Sequence, residues 1–293
     1  MLFSLLDKTI YFSFDRSGFK RHQRSFSPLC FQQSGQYLIT GASSGIGQAV
    51  VELLAKQHQK TISLARSSGE ILADLSDWSQ LTEKLQQYFE KNPLPIDGLV
   101  LNAGGMPDQL VRNQQGHEFQ MASQLLGHFK LFQWLEQNHK LVSGAKIIWV
   151  SSGGMLLKKL DTQQLFNAST AYDKVAVYAN VKRAQVILCE ELAKIYPQYF
   201  WASMHPGWVD TPAVRSALPK FYQWTSKRLR SPQQGADTIV WLLSDQSPKS
   251  QSGEFWFDRQ KQKKYPLPWL RESAEERRNF IQKVLAALPK TRS

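Results

Sequence analysis

From about residue 36 onward, hydrophobic runs of five or six residues alternate with longer amphipathic stretches. Tyr37-Leu38-Ile39-Thr40 reads as a buried strand, ended by Gly41. Residues 49–56 follow as a helix with Val50, Val51, Leu53 and Leu54 on its inner side. Further strands fall at residues 61–65, 98–101, 146–150, 200–204 and 254–257, with helices between most of them. This rhythm predicts a parallel sheet with helices on both faces, a doubly wound Rossmann-type α/β fold. The expected layout is a single domain over residues 35–258, preceded by an extension (1–34) and followed by a loop and helix (259–293). One connection breaks the rhythm. Only Ser67-Ser68-Gly69-Glu70 separates the strand ending near Arg66 from Ile71-Leu72-Ala73. A parallel crossover normally needs a dozen residues, so a helix is missing and that sheet edge is expected to be irregular.

The two tails have patterns of their own. Ser273 and Glu276 form a capping box ahead of a helix carrying Phe280, Ile281, Val284 and Leu285 on one side. Pro266 and Pro268 mark the loop before it. At the other end, Phe3, Leu6, Ile10 and Phe14 recur at spacings of three, four and four, which predicts one apolar helical face. Lys20, Arg21 and Arg24 lie just beyond. Two roles suit this extension: contact of residues 1–25 with the inner face of an anionic membrane, or packing on the body or on a second subunit in a homo-oligomer.

Charge then narrows the choice of partner. The chain of 293 residues carries a formal net charge of +12. Residues 1–34 hold five Lys/Arg against two Asp, and residues 255–293 hold ten against four acids. The central body is nearly balanced, whereas a nucleic-acid groove would run across it, so no nucleic-acid partner is expected. Cys30 and Cys189 form neither a disulfide framework nor a metal-ligand spacing; no metal site is expected, and a reducing cytoplasm suits them. No stretch approaches the roughly 20 apolar residues of a membrane span.

The chemistry concentrates at strand ends. Thr40-Gly41-Ala42-Ser43-Ser44-Gly45-Ile46-Gly47 lies between a strand and a helix. Glycines at 41, 45 and 47 let the backbone turn sharply and bring its amides against a pyrophosphate at the helix N-terminus. After the second strand comes Ala65-Arg66-Ser67, with no acid to bind the free ribose hydroxyl of NAD. Arg66 suits the 2′-phosphate of NADP, which is therefore preferred over NAD. Tyr178 and Lys182, four apart, share a helix face, and the ammonium is expected to lower the phenol pKa for acid/base work. Nine tyrosines and 22 lysines give roughly 0.7 such pairs by chance, so context carries the weight. That context is the strand Ile147-Ile148-Trp149-Val150, which delivers Ser151-Ser152-Gly153-Gly154 at its C-terminal end, where doubly wound folds place their sites.

Together these residues resemble the short-chain dehydrogenase/reductase family from about Tyr37 to Phe257. TGASSGIG is followed in family order by Asp74-Leu75, Asn102-Ala103-Gly104, Ser152, Tyr178, Lys182 and Pro206-Gly207 with Thr211. The resemblance implies hydride transfer between nicotinamide and a small-molecule carbonyl or alcohol. It further implies that Gly41, Ser43, Ser44, Gly45, Ile46 and Gly47 hold the nucleotide. Asp74 and Leu75 would meet the adenine, Asn102, Ala103 and Gly104 the adenosine ribose, Lys182 the nicotinamide ribose, and Thr211 the carboxamide, with Pro206 and Gly207 beside it. Ser152 would bond the substrate oxygen that Tyr178 protonates. Two features depart from the usual pattern: Ser152 and Tyr178 stand 26 residues apart, about twice the usual gap, and Gln124 replaces the asparagine of a proton relay. The segments VSSGGMLLKKL, MHPGWVDTPAVRSALPKF and LRSPQQGADT point to one particular branch of the family.

A protein that binds the nucleotide as a sensor or scaffold, without turnover, is the alternative; Gln124 supports it and the Ser152–Tyr178–Lys182 set opposes it. Nucleotide-sugar epimerases share the fold but usually carry a G-x-x-G-x-x-G turn. For the substrate, His128, Met155, Leu156, Trp208 and Phe221 suggest an apolar pocket.

Overall fold

The computed structural model of the chain describes residues 10–168 and 171–288. An eight-stranded sheet runs in the order β3-β2-β1-β4-β5-β6-β7-β8. Its strands are β1 Gln36–Thr40, β2 Lys60–Ala65, β3 Ile71–Leu72, β4 Ile96–Leu101, β5 Leu141–Val150, β6 Phe200–Met204, β7 Glu254–Phe257 and β8 Gln260–Gln262. The first seven pair in parallel and β8 returns antiparallel at one edge. The strand order doubles back at β1 and β4, and the doubly wound expectation holds.

Alternation along β1 explains the two layers. Leu38 points into a core closed by α3 (Trp78–Lys91), a helical run at 121–137 and α5 (Lys174–Ile195), while Tyr37 and Ile39 point into a second core closed by α2 (Gly45–Lys56) and α8 (Pro232–Leu243). The run at 121–137 is α4 (His128–Gln137), entered through a π-helical segment Met121–Gly127. Between β6 and α8 lie two short helices, α6 (Pro212–Ala217) and α7 (Pro219–Thr225).

The expected irregular edge is β3, two residues long. It pairs in parallel with β2 across a five-residue link because the chain loops back rather than crossing over. Gly69 makes that possible: its φ is 142°, and a Cβ would lie 2.8 Å from the Ser63 carbonyl oxygen. Glu70 then accepts from the Ser63 amide at 2.7 Å.

The described parts of both tails pack on the body. The capping box forms as expected: Ser273 and Glu276 bond reciprocally at the start of α9 (Ala274–Ala287). Phe280 and Val284 join the first core and Ile281 packs against it, but Leu285 is exposed, so the apolar stripe is narrower than the sequence predicted. At the N-terminus Phe14 leaves the expected helical face. A short helix, Ile10–Ser13, ends at Phe14, and α1 (Arg16–His22) starts afresh because Asp15 caps the Ser17 and Gly18 amides. Phe3 and Leu6 lie outside the described residues. Phe14 turns into the body instead, its ring centroid 4.3 Å from His205 and 5.1 Å from Phe257.

Arg230 fastens this segment. Wholly buried, its guanidinium makes a fork with Asp258 at 2.6 and 2.9 Å and donates to the carbonyls of Ser13, Phe14 and Asp15. Arg228 pairs with Asp15 and Arg16 donates to the Leu229 carbonyl. The segment is thus tied to the stretch that follows α7. No helix among the described residues is long and apolar enough to cross a membrane.

Candidate active site

At the carboxyl ends of β1, β2, β4 and β5 a cleft of about 320 Å³ opens, within the range of small-molecule sites. One wall is the turn between β1 and α2. Gly41 and Gly45 have φ of 68° and 57°, a region disfavoured for side-chain-bearing residues. Gly47 faces inward: a Cβ there would stand 2.2 Å from the Gly41 carbonyl oxygen. Only glycine lets α2 start this close to the strand, and its free amides then point into the cleft.

Thr40 organises the next wall. Its hydroxyl accepts from the Asn102 and Ala103 amides at 2.8 and 3.0 Å, and Asn102 returns a side-chain bond to the Thr40 carbonyl at 2.9 Å. His128 approaches the same hydroxyl at 2.9 Å and the Gln124 carbonyl at 2.8 Å. Burial first, then the nearby Lys182 charge, pushes the His128 pKa down to about 3, opposed by its bond to Gln124. It is therefore a neutral strut rather than an acid/base.

The residues expected to do chemistry meet at the far end. Ser152 starts a short helical turn, its hydroxyl accepting from the Gly154 amide, and its side chain lies close enough to Tyr178, on the first turns of α5, to favour the ionised phenol. One turn on, Lys182 places its Nζ 5.3 Å from the centre of the Tyr178 ring and donates to the Val150 carbonyl at 3.0 Å. The long Ser152–Tyr178 interval holds a short helix, Thr162–Phe166, and buries Leu160 and Leu165 in the first core. The electrostatics correct the sequence expectation. Burial pushes the Tyr178 pKa up, opposed by the nearby Ser152 side chain, while burial pulls Lys182 down to about 7. A lysine whose charged form burial disfavours activates its neighbour less than the pairing alone suggests.

Most of the expected nucleotide residues line the cleft: Gly41, Ser43, Ser44, Gly45, Ile46, Arg66, Asp74, Leu75, Asn102, Ala103, Gly104, Tyr178, Lys182 and Thr211. Ser152, Gly47, Pro206 and Gly207 do not. Ser152 reaches the site through Tyr178. Pro206 and Gly207 sit behind the wall, where Gly207 (φ 79°) packs against Arg230 and the Phe14 carbonyl. Arg66 is largely exposed and rests 4.0 Å from Asp74. None of the residues suggested for an apolar pocket lines the cleft: His128 is the polar strut, Met155 is buried against Val186 and Phe255 with Leu156 packed beside it, and Trp208 and Phe221 pack edge to face on one another.

Gln124, which stands where the resemblance expects a relay asparagine, lines the cleft. It is fully buried, its Nε2 donates to the Gly105 carbonyl at 2.7 Å, and its Oε1 has no hydrogen-bond partner among the described residues. Its carbonyl, freed by the π-helical segment, is taken by Gln185 Nε2 at 2.8 Å and by His128. Gln185 carried no sequence signal, since a glutamine on a helix reads as a solvated face. Pro212, Ala213 and Val214, which close the cleft opposite the glycine turn, were also missed.

A parallel doubly wound sheet, a glycine turn at a helix N-terminus and a serine–tyrosine–lysine cluster across the cleft define an NAD(P)-dependent oxidoreductase. The chain belongs to the short-chain dehydrogenase/reductase family: the family model described as short chain dehydrogenase matches residues 36–220. It is 35% identical to human dehydrogenase/reductase SDR family member 12, over 95% of this chain and 94% of that protein. The Bos taurus protein of the same name is 34% identical, over 84% of each chain. Among solved structures, the L-sorbose reductase of Gluconobacter frateurii, complexed with NADPH and L-sorbose, superimposes with a TM-score of 0.62 at 20% identity, covering 78% of this chain and 95% of that one. The 3-alpha-hydroxysteroid dehydrogenase of Pseudomonas sp. B-0831, complexed with NADH, gives 0.61 at 23%, covering 76% and 94%.

Proposed function

We propose that the chain is an NADP-linked reductase or dehydrogenase acting on a small carbonyl or alcohol, with Ser152, Tyr178 and Lys182 as its catalytic residues. The observation that carries this is the meeting of those three side chains at one end of a cleft whose other end is a glycine turn.

The cleft's own atoms fit a dinucleotide. The glycine turn leaves amides for a pyrophosphate, and the buried Gln124 Oε1 is an acceptor still to be satisfied. Beyond β2 the wall offers Arg66 and Ser67. The acid nearby, Asp74, already accepts from the Ser76 amide and hydroxyl. A 2′-phosphate would draw Arg66 away from its long, exposed contact with Asp74, which supports NADP over NAD. When bound, the nicotinamide supplies or accepts the hydride.

The chain's residues then handle the proton and the substrate oxygen. Ser152 donates a hydrogen bond to that oxygen, and Tyr178 gives it the proton during reduction or takes it during oxidation. Lys182 would steady the ribose and, held charged by the phosphates of a bound dinucleotide, lower the cost of forming the tyrosinate. Ser151 keeps the lysine in place, its hydroxyl donating to the Lys182 carbonyl at 2.9 Å. In this reading residues 35–258 form the catalytic body, with 1–34 and 259–293 as appended supports.

The test is NADPH oxidation against a panel of aldehydes and ketones, with Tyr178→Phe as the control. Turnover falling roughly 10²–10⁴-fold with NADPH binding retained is expected. A Tyr178→Phe protein that turns over at the wild-type rate defeats the assignment, and binding without turnover of any carbonyl or alcohol favours the sensor reading.

A further inference from the structure

We propose that the face formed by α1 and α7, beside the mouth of the cleft, docks on an anionic lipid surface with Trp224 as its apolar anchor. This goes beyond the catalytic reading and stands whether or not the site turns over.

The first observation is charge. No acid occurs between Asp15 and Glu52, nor between Asp210 and Asp237. Within those stretches Arg16, Lys20 and Arg24, at spacings of four, are exposed along α1 and the turn that continues it. On and after α7, Lys220, Gln223, Trp224 and Lys227 are exposed at spacings of three, one and three, a single helical stripe. Among the described residues Arg16, Lys20, Arg24, Lys220 and Lys227 pair with no carboxylate. The acids that could have neutralised the face are used elsewhere: Asp15 by Arg228, Asp210 by Arg215 and Asp258 by Arg230.

The second observation is that the two stripes adjoin. Arg16 donates to the Leu229 carbonyl, and Arg228 and Arg230 bind Asp15 and the carbonyls around it. The start of α1 is therefore joined to the turn that follows α7, which brings the basic stripe of one beside the mixed stripe of the other. The third is Trp224, 87% exposed in the middle of the cations. A tryptophan held in water beside lysines is poorly placed for a folded core and well placed for the headgroup region, where its ring is buried and its N–H stays wet. Nucleic acid would meet the same cations, but the indole stands out of a stripe rather than in a groove that tracks a backbone, which favours the bilayer. Docking here would set α6, whose Pro212, Ala213 and Val214 line the cleft, next to the lipid.

Co-sedimentation of the full chain with vesicles of phosphatidylcholine containing about 30% phosphatidylserine tests the proposal. Binding is expected at low salt, and it should be lost with pure phosphatidylcholine and at about 1 M salt, where the screening length is about 3 Å. Lys220→Glu with Lys227→Glu should weaken it at least about tenfold, and Trp224→Ala about tenfold while leaving its salt dependence. These side chains are exposed, so thermal melts should match the wild type; if the glutamates unfold the protein, Lys220→Gln with Lys227→Gln gives the same readout. Wild-type protein that stays in the supernatant at low salt, or charge-reversed protein that sediments as well as wild type, overturns the proposal. Duplex DNA binding as tight as vesicle binding, and indifferent to Trp224→Ala, overturns it in favour of a nucleic-acid surface.

Discussion

Arg230→Ala should destabilise the protein by about 3–5 kcal/mol, the usual consequence of removing one partner of a buried ion pair. The magnitude follows from what the guanidinium leaves behind. Asp258 is 2% exposed and would keep only His22, at 2.6 Å, as a partner. The carbonyls of Ser13, Phe14 and Asp15 would lose donors at 2.8 to 3.1 Å. Burial raises the Asp258 pKa, but His22 and Arg230 outweigh it and hold the carboxyl below 3.8 in the folded state. That carboxylate therefore contributes stability above about pH 4, lost as the pH falls through the folded value. Without Arg230 burial dominates, the folded pKa rises above the unfolded one, and protonation relieves the variant. The gap between wild type and Arg230→Ala should consequently shrink as pH falls from about 7 toward 4. Urea unfolding followed by circular dichroism measures this at several pH values. Arg230→Ala with Asp258→Ala should lose less than the two singles added, by about 1–3 kcal/mol. A loss under about 1 kcal/mol, a gap independent of pH, and additive singles would together refute the reasoning.

The remaining expectations concern the cleft. Arg66→Ala should weaken NADPH roughly ten- to hundredfold while barely changing NADH, read by fluorescence titration; equal losses for both would show that Arg66 does not read the phosphate. Gly47→Ala should cost about 1–3 kcal/mol, because the new methyl meets the Gly41 carbonyl oxygen at 2.2 Å, and nucleotide affinity should fall with it; an unchanged melting temperature would contradict the close approach. Lys182, pulled down to about 7 by burial, takes up its proton more readily when unfolded, so this group adds stability as pH rises from 7 toward 10.5. Subtracting the Lys182→Met melting curve from the wild type's in nucleotide-free protein should isolate that slope; parallel curves would mean that Lys182 stays charged.

Local rules wrote much of this molecule. The period-two strands, the glycine turn between β1 and α2 and the Ser273–Glu276 cap all rest on neighbours within a few residues, so they were legible before any folding was considered. So was the candidate site as a set of parts, since four-residue spacing on a helix places Lys182 beside Tyr178 whatever the rest of the chain does. Tertiary structure decided the rest. Spacing put Phe14 on the N-terminal helix face, but the Asp15 cap ends that helix and Arg230, more than 200 residues away, draws the segment into the body. Gln185 reads as surface and becomes a buried donor because a π-helical turn on another helix frees the Gln124 carbonyl toward it. The Tyr178 and Lys182 pKa values run opposite to the pairwise expectation because desolvation depends on every atom packed around a group, and sequence spacing reports only one neighbour.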